Sequence, residues 1–344
     1  MKSTASHGSR PVVLAGVALI LAMGLTSPTL GQQSGAAQSS AETGTLSLLF
    51  EDGFFYNDDR DYTTGWLITW TTSPADTPGW AIDVARSVPF FGQTGEVRAT
   101  YALGQDIFDP TNFRLFNPPS TDHPYAGYLY GSMGVAQMTD TDLDQVSVEL
   151  GMVGPDSFAS NVQIFVHAIL GDQHPNGWAY QIHNEPGLVI NDEHSWRAVE
   201  SGSFWGLAFD VDPHIGGAIG NVYDYVNAGA MGRIGINLPD DYGPVRVEPS
   251  LPGTSFFEPT GALSIYAFAG VDGRAVARDI FLDGNTWEES RHVDKEAFVG
   301  DGQLGLAIAM DRWRLAFTHV FRTREFETQR HPQQFGAANL SVRF

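Results

Sequence analysis

The segment Phe335-Gly-Ala-Ala-Asn-Leu-Ser-Val-Arg-Phe344 ends the chain. Its even-numbered positions from 338 onward are apolar, and the positions between them are polar. Because successive side chains of a strand point to opposite faces, this alternation predicts a strand with one apolar and one polar face. An ordinary edge strand has the same pattern, so the segment alone leaves open what covers the apolar face.

The same alternation recurs in residues 145–152, 304–310 and 313–317, where large apolar residues alternate with small or polar ones. Aromatic residues lie near the ends of such segments, namely Trp66, Trp70, Tyr128 and Tyr130. Apolar faces turned to lipid between aromatic girdles are typical of membrane β-barrels. We therefore predict an all-β fold, a transmembrane antiparallel β-barrel over residues 44–344. A soluble β-sandwich also alternates and is the alternative.

The amino end has the features of an export signal. Lys2 and Arg10 precede an apolar run at 11–25, and Thr29-Leu30-Gly31 supplies small residues for cleavage. We predict a signal peptide at 1–31 and a flexible segment at 32–43. No later run reaches the roughly 18 apolar residues of a membrane-spanning helix. Cysteine is absent, so disulfides cannot stabilise the exported chain.

The chain carries 19 basic and 40 acidic residues, and loss of Lys2 and Arg10 with the signal changes the net charge to 17 − 40 = −23. This balance disfavours a nucleic-acid partner and suits sites for divalent cations. Lys295 is the only lysine after position 2.

Thirteen segments have strand character: 45–52, 62–72, 97–107, 124–138, 143–153, 185–197, 204–213, 223–237, 261–270, 274–282, 297–310, 312–323 and 335–344. A barrel with both ends in the periplasm needs an even number, so one assignment is wrong. Glycines weaken strand assignment between 204 and 261, so we place the error there and predict twelve spanning strands. We treat 271–273 as an inner turn.

One segment, 156–170, predicts a helix in the outward-facing loop between the fifth and sixth strands. Asp156 or Ser157 can cap it, and an apolar stripe follows at helical spacing, formed by Phe158, Val162, Phe165 and Ile169. We expect this stripe to dock the helix. Gln163 and His167, four residues apart, share the other side and face across a gap. The alternative is a loop helix with one exposed histidine.

Residues 51–61 contain five carboxylates at a strand-loop-strand junction. Oxygen ligands at this density are what Ca²⁺ requires. Residues 57–61 also fit a solvated acidic turn. Glu51 and Asp52 end an apolar run, where a charge is costly unless something binds it.

The order of these motifs resembles the lipid A 3′-O-deacylases of the outer membrane, the LpxR family. The likeness rests on 51–65, 122–130, 151–155, Gln163 with His167, Gly177-Trp178, 184–186 and 220–222. It implies a twelve-stranded barrel in the bacterial outer membrane, with an active site between its wall and a loop helix. It also implies Ca²⁺-dependent hydrolysis of a lipid A ester. His167 then corresponds to the general base, Gln163 to the site glutamine and Asp52 to an aspartate at the metal.

Three departures from the family pattern affect the site. Glu51 stands where the family has asparagine, and we assign it to the metal together with Asp52. No lysine is available for the family's active-site lysine, and Arg114 is our substitute for binding the substrate. His123 replaces an arginine before Pro-Tyr-Ala-Gly. Asp172 is our candidate for a further acid.

We therefore predict an outer-membrane esterase in which His167 takes a proton from water and Ca²⁺ receives the developing oxyanion. No Gly-x-Ser-x-Gly nucleophile motif occurs. The predicted partners are lipid A or lipopolysaccharide in the outer leaflet, and the predicted state is a monomer. An outer-membrane phospholipase, or a non-enzymatic barrel plugged by the loop helix, remains an alternative.

Overall fold

A computed structural model describes residues 43–53, 61–89, 91–171, 173–244 and 255–344. The predicted signal peptide, nearly all of the predicted flexible segment and Asp172 lie outside these residues. Within them, no helix has both the length and the apolar character to cross a membrane.

The described chain forms thirteen strands and three α-helices. The strands are β1 (Gly44–Asp52), β2 (Asp61–Thr72), β3 (Glu96–Asp109), β4 (Ala126–Met138), β5 (Asp142–Val153), β6 (Glu185–Trp196), β7 (Glu200–Phe204), β8 (Leu207–Gly220), β9 (Tyr223–Ile236), β10 (Leu263–Asp279), β11 (Phe298–Met310), β12 (Trp313–Arg322) and β13 (Gln333–Arg343). The helices are α1 (Gly79–Ser87), α2 (Ala159–Leu170) and α3 (Ile280–Asp283).

Twelve of these strands close into an antiparallel barrel, as predicted. The last strand pairs with the first, with Leu340 opposite Leu48, and β6 closes the ring by pairing with β8. The short β7 pairs with residues 207–211 of β8, next to the residues 214–220 that pair with β6. The chain ends and the turns β4–β5 and β11–β12 lie at the inner, periplasmic end; α2 and α3 lie at the outer end.

The predicted turn at 271–273 is wrong. Asp272 pairs with Gly229 of β9 on one side and with Asp301 of β11 on the other, so the predicted strands 261–270 and 274–282 are parts of the single strand β10. The predicted strand end at 280–282 is also wrong, because these residues begin α3. In the sequence alone, Gly273 is typical of a turn. In the sheet, the neighbouring strands on both sides pair with its backbone and keep it extended. The glycine-rich region that we suspected contains the regular strands β8 and β9.

The barrel has its apolar face outside. In β5, Val148 and Leu150 are exposed while Glu149 between them is buried. Large apolar side chains are likewise exposed on β3, β10 and β11, including Leu103, Ile265, Leu304 and Leu306. A soluble sandwich would bury this face, so the arrangement excludes it and confirms a membrane barrel.

Described side chains fill the barrel at both ends. Asp241, in the inner loop after β9, accepts hydrogen bonds from Arg233 of β9 and Arg314 of β12. At the outer end α3 is buried, and the ring of Phe281 stacks on Phe108 with centroids 4.3 Å apart.

Candidate active site

The helix α2 lies on the outside of the barrel wall, over β3 and β4. Gly127 of β4 permits the contact, because a Cβ there would lie 2.2 Å from the Cβ of Ala159. Gly127 is the ladder partner of Ile107, and Ile107 shares its face of β3 with the exposed Leu103. The site is therefore on the lipid-facing side of the wall.

The start of the helix differs from the prediction. A 3₁₀ turn occupies Pro155–Ser157, and α2 begins at Ala159 after Phe158, whose φ of 59° is left-handed. No side chain caps the first turn of α2 in the N-cap position. The hydroxyl of Ser157 instead donates to the carbonyl of Gly154 at 2.6 Å. Gly171, with a φ of 70°, ends the helix.

The predicted docking face of the helix is also wrong for three of its four residues, because only Val162 of this stripe packs against the buried cluster at the wall. Phe158, Phe165 and Ile169 are 58%, 65% and 65% exposed, whereas Gln163 and His167 are 2% and 6% exposed. The helical period correctly put Gln163 and His167 on one side. It could not show that the polar side faces the wall, because in a membrane the apolar side can face outward.

Gln163 anchors the helix to the wall through both the nitrogen and the oxygen of its side-chain amide. Its Nε2 donates to Oδ2 of Asp109 at 2.7 Å, and its Oε1 accepts from Nε1 of Trp178 at 2.8 Å. Asp109 is the fully buried last residue of β3, and Trp178 packs on Tyr125 at 4.7 Å. Asp109 could not be recognised from the sequence, because Asp109-Pro110 is typical of a turn.

Replacing Asp109 should loosen α2. Asp109→Leu leaves the buried Gln163 amide without this acceptor, a cost of about 1–3 kcal/mol, whereas Asp109→Asn still offers an oxygen and should cost less. Hydrogen exchange of the α2 amides in detergent measures the difference. Equal protection in the two variants would contradict the anchoring role.

His167 is held in one tautomer. Its Nδ1 lies 2.7 Å from the carbonyl oxygen of Gln173, and a carbonyl only accepts, so Nδ1 carries the hydrogen. The neutral ring then has its lone pair on Nε2, the atom a general base uses. The edge of His167 also meets Phe113, with centroids 5.3 Å apart.

Arg114 is connected to His167 through Gln173, and its predicted role in substrate binding stays a prediction. Its guanidinium donates to Oε1 of Gln173 at 3.0 Å, so one residue contacts both Arg114 and His167. Asn176 holds the Arg114 backbone by donating to its carbonyl at 3.0 Å. The Arg114 side chain is exposed at the outer end.

The two predicted metal ligands point to opposite faces of β1. Asp52 accepts a hydrogen bond from the Thr64 hydroxyl at 3.3 Å, and Thr64 is the ladder partner of Ile107 beneath α2. Asp52 on β1 and Ile107 on β3 are separated by two strand-to-strand spacings, so they lie about 10 Å apart on that outer face. Glu51 faces the interior instead, buried and close enough to Arg322 for their charges to interact. The structure thus brings Asp52, but not Glu51, to the site.

The side chains on this face offer oxygen ligands of the type that Ca²⁺ prefers. Asp52 supplies a carboxylate and Thr64 a hydroxyl, both hard ligands. Across the described ranges, no group of three or more histidine or acidic side chains converges on a point. Thr64, which donates to Asp52, was not singled out from the sequence.

His123 lies in the outer loop before β4 and serves packing. Its ring stacks on the ring of Phe108 with centroids 5.5 Å apart, and it makes an edge-to-face contact with Phe326 with centroids 5.9 Å apart. Its Nδ1 lies 2.7 Å from the carbonyl oxygen of Pro124. Burial lowers the pKa of His123 below 6.5, against the opposing effects of the Pro124 carbonyl and the carboxylates of Glu325 and Asp122.

This shift predicts a pH dependence of stability. The unfolded chain binds a proton on His123 near its ordinary pKa, but the folded protein does so only at lower pH. The free energy of unfolding should therefore fall as the pH drops below about 6.5. The His123→Phe variant keeps the ring packing but cannot bind the proton. Its free energy of unfolding should therefore fall less between pH 8 and pH 5 than that of the wild type. Urea unfolding at both pH values measures this, and equal losses would contradict it.

The closed twelve-stranded barrel, its apolar exterior and the polar site under α2 define a class: an integral outer-membrane β-barrel with a site between its wall and a loop helix. The sequence matches the family model described as outer membrane protein LpxR over residues 17–344. The chain belongs to the LpxR family, which confirms the resemblance and the outer-membrane location.

One solved structure of this family has the same fold. LpxR from Salmonella typhimurium is similar with a TM-score of 0.71 and 19% sequence identity, over 87% of this chain and 100% of that one. The beta domain of the Bordetella autotransporter BrkA has a TM-score of 0.43 and 10% identity, over 88% and 100% of the two chains. No curated protein sequence matches significantly.

Proposed function

We propose that this protein is a lipid A 3′-O-deacylase in which His167 is the general base. The observation that carries the proposal is the hydrogen bond between Nδ1 of His167 and the Gln173 carbonyl, on the wall-facing side of α2. It leaves Nε2 as the proton acceptor in the neutral ring. Membership of the LpxR family supports lipid A as the substrate.

In the proposed reaction, Nε2 of His167 removes a proton from water, and the water oxygen attacks the acyl carbonyl. The imidazolium that forms keeps its bond to the Gln173 carbonyl, which stabilises the positive ring. His167 then returns the proton to the leaving sugar oxygen, so fatty acid and alcohol are released without a covalent enzyme intermediate.

Other residues of the site have supporting tasks. Gln163 is a positioning residue, because both ends of its amide are engaged with Asp109 and Trp178. It therefore sets the position of α2, and with it the position of His167 one turn further along. Arg114 is placed to bind an anionic group of the lipid headgroup.

Asp52 and Thr64 are the residues we propose for a Ca²⁺ site. The bound ion would polarise the acyl carbonyl. Glu51 does not belong to this proposed set because it faces the barrel interior.

The filling of the barrel argues against the pore alternative. Asp241 ties the inner loop to Arg233 and Arg314, and α3 closes the outer end against Phe108. The loop helix itself lies outside the wall and cannot act as a plug. The monomeric state stays a prediction.

Mass spectrometry of lipid A from cells with and without this protein tests the function. We expect lipid A lighter by the 3′ acyloxyacyl group when the protein is present. The purified protein should also cleave lipid A in detergent. Unchanged lipid A together with cleavage of glycerophospholipid would replace the proposal with the phospholipase alternative.

A further inference from the structure

The outward surface of α2 is uncharged and, apart from the exposed Asn161, apolar. None of its twelve residues is Asp, Glu, Lys or Arg, although 17% of the whole chain is charged. By contrast α1, at the inner end, carries Asp83 and Arg86. A helix whose outer side stands in water presents polar residues there. We call the exposed set Phe158, Phe165 and Ile169 the outer face of α2.

The orientation of α2 that exposes the outer face is fixed by polar contacts on its opposite side. The opposite side carries Gln163, which is hydrogen-bonded to Asp109 and Trp178, and His167, which is hydrogen-bonded to the Gln173 carbonyl. Rotating the helix to bury the apolar stripe would break these bonds. The polar contacts therefore fix the rotation that leaves the outer face exposed.

The outer face continues the lipid-facing surface of the barrel. Below α2, the wall exposes Leu103 on β3, Met133 on β4 and Leu150 on β5. Met133 is six residues from the helix contact at Gly127, about 20 Å along the strand. Two further exposed apolar side chains, Leu115 and Phe116, lie in the outer loop whose Phe113 contacts His167.

We propose that α2 is embedded in the outer leaflet and that its outer face contacts the hydrocarbon chains of membrane lipids. This surface has no charge that would recognise a headgroup, and it joins the barrel surface already in contact with hydrocarbon. His167 then lies behind the helix at the level of the acyl chains. The site is reached from the side, through the membrane, rather than from the external solution.

Spin labelling tests this directly, because the native chain has no cysteine. A nitroxide is attached to Phe165→Cys or Ile169→Cys in the full protein, reconstituted in phosphatidylcholine vesicles. Two matched positions calibrate the measurement. Leu304→Cys reports the lipid-facing wall, and Glu288→Cys reports an exposed position of an outer loop.

Both α2 labels should resemble the Leu304 label, with high accessibility to oxygen and low accessibility to a neutral nickel chelate. Nickel accessibility equal to that of the Glu288 label would overturn the proposal and leave the face in water, free for a protein partner. Low accessibility to both reagents would also overturn it, since the face would then be covered by protein. Ile169→Cys carries the test if Phe165→Cys does not fold. Hydrolysis is not measured, so this result is independent of the proposed deacylase activity.

Discussion

His167→Ala should lower kcat by roughly 10²–10⁴-fold while the barrel stays folded, the usual scale for losing a general base. The histidine is buried against the wall and its Nδ1 is bound to Gln173, so Nε2 is the nitrogen left for proton transfer. Release of the 3′ acyloxyacyl group measures the rate. Heat-modifiability on gels reports whether the barrel is folded.

A second variant separates chemistry from packing. His167→Asn can still donate to the Gln173 carbonyl, because its amide nitrogen occupies nearly the position of Nδ1, but it has no Nε2. If His167 acts as a base, Asn should lose as much activity as Ala. If the residue only holds the helix, Asn should restore most of the rate. His331→Ala, an exposed histidine outside the site, is the control and should be unaffected.

Asp52→Ala should reduce kcat/KM by roughly 10²–10³-fold, the scale for losing one electrostatic stabiliser of a transition state. Its carboxylate lies on the outer face of the wall beside Thr64, where a cation could reach the substrate. Chelation by EGTA should reduce the wild-type rate to a similar extent, and added Ca²⁺ should restore it.

The neighbouring carboxylate is the matched control. Glu51→Gln should leave the Ca²⁺ requirement unchanged, because Glu51 faces the interior near Arg322. Binding can be measured without turnover: Ca²⁺ should raise the unfolding temperature of the wild type but not of Asp52→Ala, since a ligand stabilises the state that binds it. Full activity in EGTA would remove the metal from the mechanism.

The sequence by itself determined the barrel and its family. Alternation such as that of Val148, Glu149 and Leu150 requires a strand with unlike faces, and its repetition without disulfides or a spanning helix indicates a membrane barrel. The even-number rule led to twelve strands although one assignment was wrong. The helical period put Gln163 and His167 on one side, and the order of motifs identified the LpxR family.

Period-2 geometry could also have separated Glu51 from Asp52, since neighbours in a strand face opposite ways. We assigned both to the metal, although the predicted strand 45–52 contains both of them. The register in the sheet shows that β1 continues through Asp52, which is opposite Thr64 and Gly336. Where a strand ends depends on its neighbours' backbones, and these are remote in sequence.

Tertiary structure alone decided which side of α2 faces the wall and which residues meet there. Amphipathicity gives two faces but does not say whether water or hydrocarbon surrounds the apolar one. The contacts of Gln163 come from Asp109, 54 residues earlier, and from Trp178, 15 residues later. Such pairs are brought together by barrel closure and loop packing, which no local pattern encodes.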